Sequence, residues 1–186
     1  MLLRSWILTV ALWLVSGGLG CSGPKIVVTA GPNQPSSPPA KVAVLDLGVD
    51  SAGAGGVLLD GCAKGVLVAG TTVIERSRVK AVLDEKSQSR SGEQDPAFYQ
   101  RLGELLGVDS FIVGAAMGDA ITVKHGFGNV IQETWVVKEM SARLVNAASG
   151  AVTRIVQAEN GFGLGQVTPS EMAERVCAAV VRGRDE

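Results

Sequence analysis

Cys21 closes a segment that decides where the rest of the chain folds. Met1-Leu2-Leu3-Arg4 carries one positive charge, Trp6 to Val15 is an apolar run, and Ser16-Gly17-Gly18-Leu19-Gly20 supplies small residues before a cut. That order is a secretory signal. The run falls short of the roughly 20 apolar residues that cross a bilayer. A Cys directly after small residues is the pattern of a bacterial lipoprotein signal, in which the thiol is acylated and becomes the new N-terminus. Lipidation of Cys21 is therefore expected. In lipoproteins of the enteric type an Asp after the Cys favours inner-membrane retention, so Ser22 points to the outer membrane. A lipoprotein box usually has a bulky aliphatic residue three places before the Cys, where this chain has Gly18. Gly18 and Gly20 also suit ordinary signal peptidase, which leaves Cys21 unmodified, and both routes export the chain.

Folding then takes place in an oxidising compartment, and two cysteines remain beside Cys21. An even pair, Cys62 and Cys177, invites a disulfide there. Both also lie in apolar helical patterns, where free thiols pack as small hydrophobes. Their spacing excludes a clustered cysteine zinc site, and His125, the sole histidine, is near neither in sequence. No metal and no cofactor are expected.

Without residues 1–20 the chain has the length of one domain, enough for a single core. The formal net charge is −1, so no basic excess points to nucleic acid. Residues 21–40 hold the prospective anchor and a linker, Gly31-Pro32-Asn33-Gln34-Pro35-Ser36-Ser37-Pro38-Pro39. Prolines and small polar residues bury little, and a flexible tether of that length spans roughly 25 Å. Ile26-Val27-Val28 interrupts it with a short apolar stretch.

Residues 41–186 read as one α/β domain. Val42-Ala43-Val44-Leu45-Asp46-Leu47 is a near-continuous apolar run, the mark of a strand buried on both faces. Ser51 to Ala69 reads as a helix in which Gly61 and Gly65 share a face and admit a close neighbour. Each Gly costs such a helix about 1 kcal/mol against Ala, so packing must compensate. Thr71 to Ile74 is a short strand, and Ser77 is the expected cap of a helix through Leu83. Asp95-Pro96 opens a third helix that stops at Gly107. Ser110–Gly114, Ile121–His125, Val130–Val145 and Ala151–Ala158 read as four strands, the later ones joined by short turns that make antiparallel neighbours. Thr168 or Ser170 caps a last helix. The expected fold is a single mixed sheet, parallel in its N-terminal half and antiparallel in its C-terminal half, with helices packed on it.

Several motifs tempt and fail. Gly53-Ala54-Gly55-Gly56 follows a strand and opens a helix, but a dinucleotide loop wants a third Gly where Leu58 stands. Ser77-Arg78-Val79-Lys80 matches Ser-x-x-Lys, but no Lys-Thr-Gly follows. A serine triad would have to use His125, beside a Gly-rich turn. Asp84 and Glu85 are adjacent on a helix and point apart. No catalytic residue is assigned, and the chain is not expected to be an enzyme.

Val73-Ile74-Glu75-Arg76-Ser77-Arg78-Val79, Val82-Leu83-Asp84-Glu85, Ser91-Gly92, Asp95, Leu102-Gly103-Glu104-Leu105-Leu106-Gly107-Val108-Asp109 and Ile112-Val113-Gly114 resemble the CsgG-like family of envelope lipoproteins, which includes the curli secretion channel. Val42 to Leu47, Ala142 to Asn146 and Ser149-Gly150 fit the same pattern. The fold is also similar to the N-terminal domain of TolB and to outer-membrane lipoproteins that activate penicillin-binding proteins. The resemblance implies a periplasmic protein-binding module of envelope assembly, held to the outer membrane by its lipid, with an envelope protein as partner. It also implies an alternative, a homo-oligomeric subunit or accessory of a curli-type channel. Two spanning hairpins per subunit need on the order of 40 residues beyond the sheet, and the turns here are short. The strands after Met117 are therefore expected to stay within the body, with no hairpin projecting into solvent.

Overall fold

A computed structural model describes residues 23–31, 37–49, 54–85, 95–125, 130–161 and 166–183. Ten elements follow one another: β1 (Lys25–Ala30), β2 (Lys41–Val49), α1 (Ala54–Val68), β3 (Thr72–Val73), α2 (Arg76–Glu85), α3 (Pro96–Leu106), β4 (Ser110–His125), β5 (Val130–Asn146), β6 (Val152–Glu159) and α4 (Pro169–Arg182). They make one sheet in the order β1-β6-β5-β4-β2-β3. β2 runs parallel to both β3 and β4, whereas β4, β5, β6 and β1 pair antiparallel in turn. The mixed sheet has its parallel part early and its antiparallel part late, as the strand patterns predict.

Helices cover both faces unequally. On one face α1 and α4 bury Leu58, Cys62, Val66, Met172, Val176 and Cys177 against Val42, Ile112, Leu144 and Val156. On the other, α2 and α3 bury Val79, Leu102 and Leu106 against Ala43, Phe111 and Val145. β2 is apolar from Val42 to Leu45 because both sides of it are covered.

α1 and α4 lie parallel in direct backbone contact. A Cβ on Gly61 would meet the Ser170 carbonyl oxygen at 2.3 Å, and one on Gly65 the Glu174 carbonyl oxygen at 2.0 Å. The two glycines admit the neighbour their spacing anticipates. Beside these contacts Cys62 and Cys177 form a disulfide, with Cα atoms 5.1 Å apart. That separation lies inside the range a disulfide spans without backbone movement.

The helix ends follow local chemistry. Asp95 caps α3 by accepting from the Ala97 N–H, Pro96 takes the first turn, and Gly107 ends it at φ +64°. Thr168, not Ser170, caps α4, accepting from the Glu171 N–H. α2 begins at Arg76, so Ser77 lies inside the helix and is not its cap. At the other end of α4, Arg154 is buried under the last turn and donates from Nη1 to the Val180 and Val181 carbonyls. Burial lowers its pKa. Unpaired carbonyls and the negative end of the helix dipole offset the cost of burying the guanidinium.

Two expectations change. Lys25–Ala30, read as tether, is the edge strand β1, paired with β6 from Lys25↔Glu159 to Ala30↔Arg154. Its alternating exposure shows why a six-residue strand suffices: Ile26 and Val28 reach the α1/α4 core. The stretch between β1 and β2 therefore joins strands separated by β6, β5 and β4, four spacings or about 19 Å. Second, the segments read as separate strands at Ser110–Gly114 and Ile121–His125 are one continuous strand, β4.

Candidate functional site

β4 has 16 residues and β5 has 17, longer than any strand beside them. β2 leaves β4 at the pair Val49↔Ala116, and β6 leaves β5 at Glu159↔Glu139. From Gly118↔Val137 to His125↔Val130, eight successive pairs, neither strand has a second strand beside it among the described residues. A hairpin therefore projects from the sheet as a two-stranded ribbon. This overturns the expectation that the strands after Met117 stay within the body. At the usual rise per residue the ribbon extends roughly 26 Å.

The root is held on several sides. The register shifts between Met117 and Gly118, leaving Lys138 as the extra residue of a β-bulge. Lys138 pairs with Asp119 across the strands in an exposed ion pair, worth little in stability but enough to charge the edge. Trp135 packs on the α1/α4 core, and its ring lies over Gly118, where a Cβ would meet it at 2.8 Å. Asn160 donates through Nδ2 to the Val137 carbonyl at 2.9 Å and to the Val167 carbonyl at 3.0 Å, and accepts from the Val167 N–H. Beyond this root, both outer edges of the ribbon carry backbone groups with no ladder partner among the described residues. An isolated two-stranded hairpin is marginal in water, and open edges are templates for another strand.

The other singled-out residues do not converge. Cys21 lies outside the described residues, as do Gly53, the turn 126–129 and the side chains of Glu85 and His125. Gly55 and Gly56 stand in the first turn of α1. Lys80 pairs with Asp84 one turn on, in solvent, and forms no site with Ser77. Among the described residues no three His, Cys, Asp or Glu side chains gather as metal ligands. A shallow polar groove between α1 and α4 is lined by Lys64, Glu171, Glu174 and Arg175. Its charges are paired, Lys64 with Glu174 at 2.7 Å and Arg175 with Glu171 at 2.6 Å. Burial raises the pKa of the Tyr99 hydroxyl, and the Arg143 charge lowers it in part. The Tyr99 ring lies tilted against Phe111, centroids 5.6 Å apart, and serves the core. Among the described residues no helix is long and apolar enough to cross a membrane.

A mixed α/β body with helices on both faces and one self-paired ribbon defines the molecule. The sequence matches no protein-family model and none of the curated proteins compared with it. Solved structures share part of its shape. A PelC dodecamer from Paraburkholderia phytofirmans is 18% identical, with a TM-score of 0.48, covering 84% of this chain and 94% of that one. Lipoprotein GNA1162 from Neisseria meningitidis is 17% identical, with a TM-score of 0.46, covering 77% and 96%. The C-terminal domain of LpoB from Salmonella enterica is 9% identical, with a TM-score of 0.47, covering 66% and 83%. At these values the likeness assigns the chain neither a family nor a function.

Proposed function

We propose that the chain is a non-enzymatic envelope lipoprotein, anchored to the outer membrane through Cys21 and facing the periplasm, that binds another envelope protein through the open edges of its β4–β5 ribbon. The self-paired ribbon carries this reading. Its unsatisfied edge groups fit strand addition, in which main-chain hydrogen bonds supply affinity. The signal sequence and the blocks that resemble CsgG-like lipoproteins support the location. Photo-crosslinking residues placed at Asp119 and Val136, one on each ribbon strand, test it in intact cells. A single discrete adduct with a second envelope protein is expected, and no adduct from either position sinks the reading.

A second reading rests on the arrangement of the edges. They lie on opposite sides of one ribbon, so the β4 edge of one copy can meet the β5 edge of the next. Such a head-to-tail contact closes into a ring or runs open. An adduct between two copies, together with a detergent-stable ring by light scattering, would select this oligomeric reading, and conductance in planar bilayers would extend it to a channel.

Anchoring has its own test. Cys21→Ala is expected to move the protein from the membrane to the soluble periplasmic fraction. Wild type that is already soluble without detergent would refute the anchor.

A further inference from the structure

The register places the start of β1 and the ribbon root at the same end of the sheet. Lys25 pairs with Glu159, Glu159 with Glu139, and Glu139 with Met117, the last residue before the ribbon. β1 runs away from that end, so the chain preceding Lys25 emerges beside the ribbon root. Gly23 confirms the location from the other side. A Cβ on it would lie 3.5 Å from Nη1 of Arg175, whose guanidinium bonds Glu171 in the first turn of α4. Only Ser22 separates Gly23 from Cys21, so at most about 7 Å of chain joins them. β1 and β5 are two strand spacings apart, about 10 Å. The ribbon extends roughly 26 Å from its root. The slack between body and Cys21 is thus much shorter than the ribbon.

We infer that the ribbon is the membrane-facing end of the body and that its distal half rests in the headgroup layer of the bilayer that holds the Cys21 lipid. This rests on lipidation of Cys21. A body held within about 7 Å of the surface cannot raise a projection of that length clear of it at the same end. The described pairs of the ribbon stop short of crossing. Its eight paired residues fall below the about 9–11 that a spanning strand needs. Its open edges then meet their protein partner at the membrane surface, while its far end meets lipid.

The test uses the chain from Cys21 onward, which contains every described residue. With Cys62 and Cys177 bonded, Cys21 is the one free thiol of three cysteines. It is coupled to maleimide-headgroup lipid in phosphatidylethanolamine–phosphatidylglycerol vesicles, which fixes the anchor whether or not cells acylate it. In a Trp135→Phe background, Thr122→Trp reports the ribbon and Ser149→Trp the opposite end of the sheet. Lipids brominated on their acyl chains are expected to quench the first several times more than the second. Amide exchange of the unsubstituted chain supplies a second measurement. Residues 118–125 should gain severalfold protection on coupling, and residues 152–156 should not. Equal quenching at both positions with unchanged exchange overturns the inference. Mass spectrometry of the membrane-derived protein separates the parent reading: a bare Cys21 thiol refutes the anchor, and an acylated Cys21 with no differential quenching refutes the ribbon's contact alone.

Discussion

Gly61 and Gly65 show how much one missing methyl group can set. In isolation each weakens α1, yet the α4 backbone occupies the space a side chain would need. Gly65→Ala therefore forces the two helices apart and is expected to destabilise by about 1–3 kcal/mol, the usual cost of overpacking a core. Gly55, in the same helix, meets only a Val49 methyl at an ordinary 3.6 Å. Gly55→Ala should be neutral or stabilising by up to about 1 kcal/mol. Urea unfolding of both variants checks the contrast, and equal losses would dismiss the packing account. This contact was legible in the sequence because a four-residue spacing on a helix fixes a shared face. The capping residues Asp95 and Thr168 were legible for a similarly local reason. Arg154 was not: nothing in Val152-Thr153-Arg154-Ile155 says that this charge turns under a helix end instead of into solvent.

At the scale of elements, strand identity was readable and strand length was not. Ala115-Ala116-Met117-Gly118-Asp119-Ala120 has little strand preference of its own, so β4 looks like two strands with a gap. Pairing decides otherwise. β5 runs alongside without interruption, Trp135 fills the space over Gly118, and the bulge at Lys138 absorbs the change of register. The ribbon thereby escaped a reading that counted turns and spans. β1 escaped for a related reason: flanking prolines mask six residues whose strand character depends on β6 being there to pair with. Because the outer ribbon has no strand of the sheet beside it among the described residues, it should be separable from folding. Replacing residues 121–134 with a two-residue turn is expected to leave thermal stability within about 0.5 kcal/mol, the range of surface changes. Partner or self crosslinking should disappear in the same variant. Loss of folding would show that the ribbon is part of the body.

Over the whole molecule, one covalent link joins distant parts of the sequence. The disulfide closes a separation of 115 residues, and α1 and α4 meet along their lengths around it. The double variant Cys62→Ala with Cys177→Ala should lose about 2–4 kcal/mol in urea unfolding. Reductant should lower wild type toward the variant and leave the variant itself unmoved. Equal stability of oxidised and reduced wild type would contradict this account. The cysteines alone left bonded and free thiols equally open, since only the docking of α1 on α4 brings the two Cα atoms to 5.1 Å.

The same link acquires a mechanical meaning once the strand order is considered. On the proposed anchoring and partner binding, tension entering at Cys21 while the partner grips the ribbon would pull first on β1. Drawn along its own axis, that strand loads its hydrogen bonds to β6 together, in shear, instead of opening them one at a time. Should β1 yield, the chain can pay out through β2 and the start of α1, but extraction halts at Cys62, because the bond to Cys177 ties that point to the last helix. The greater part of the domain, residues 62–177, stays inside a covalent loop that tension from the N-terminal side cannot unravel.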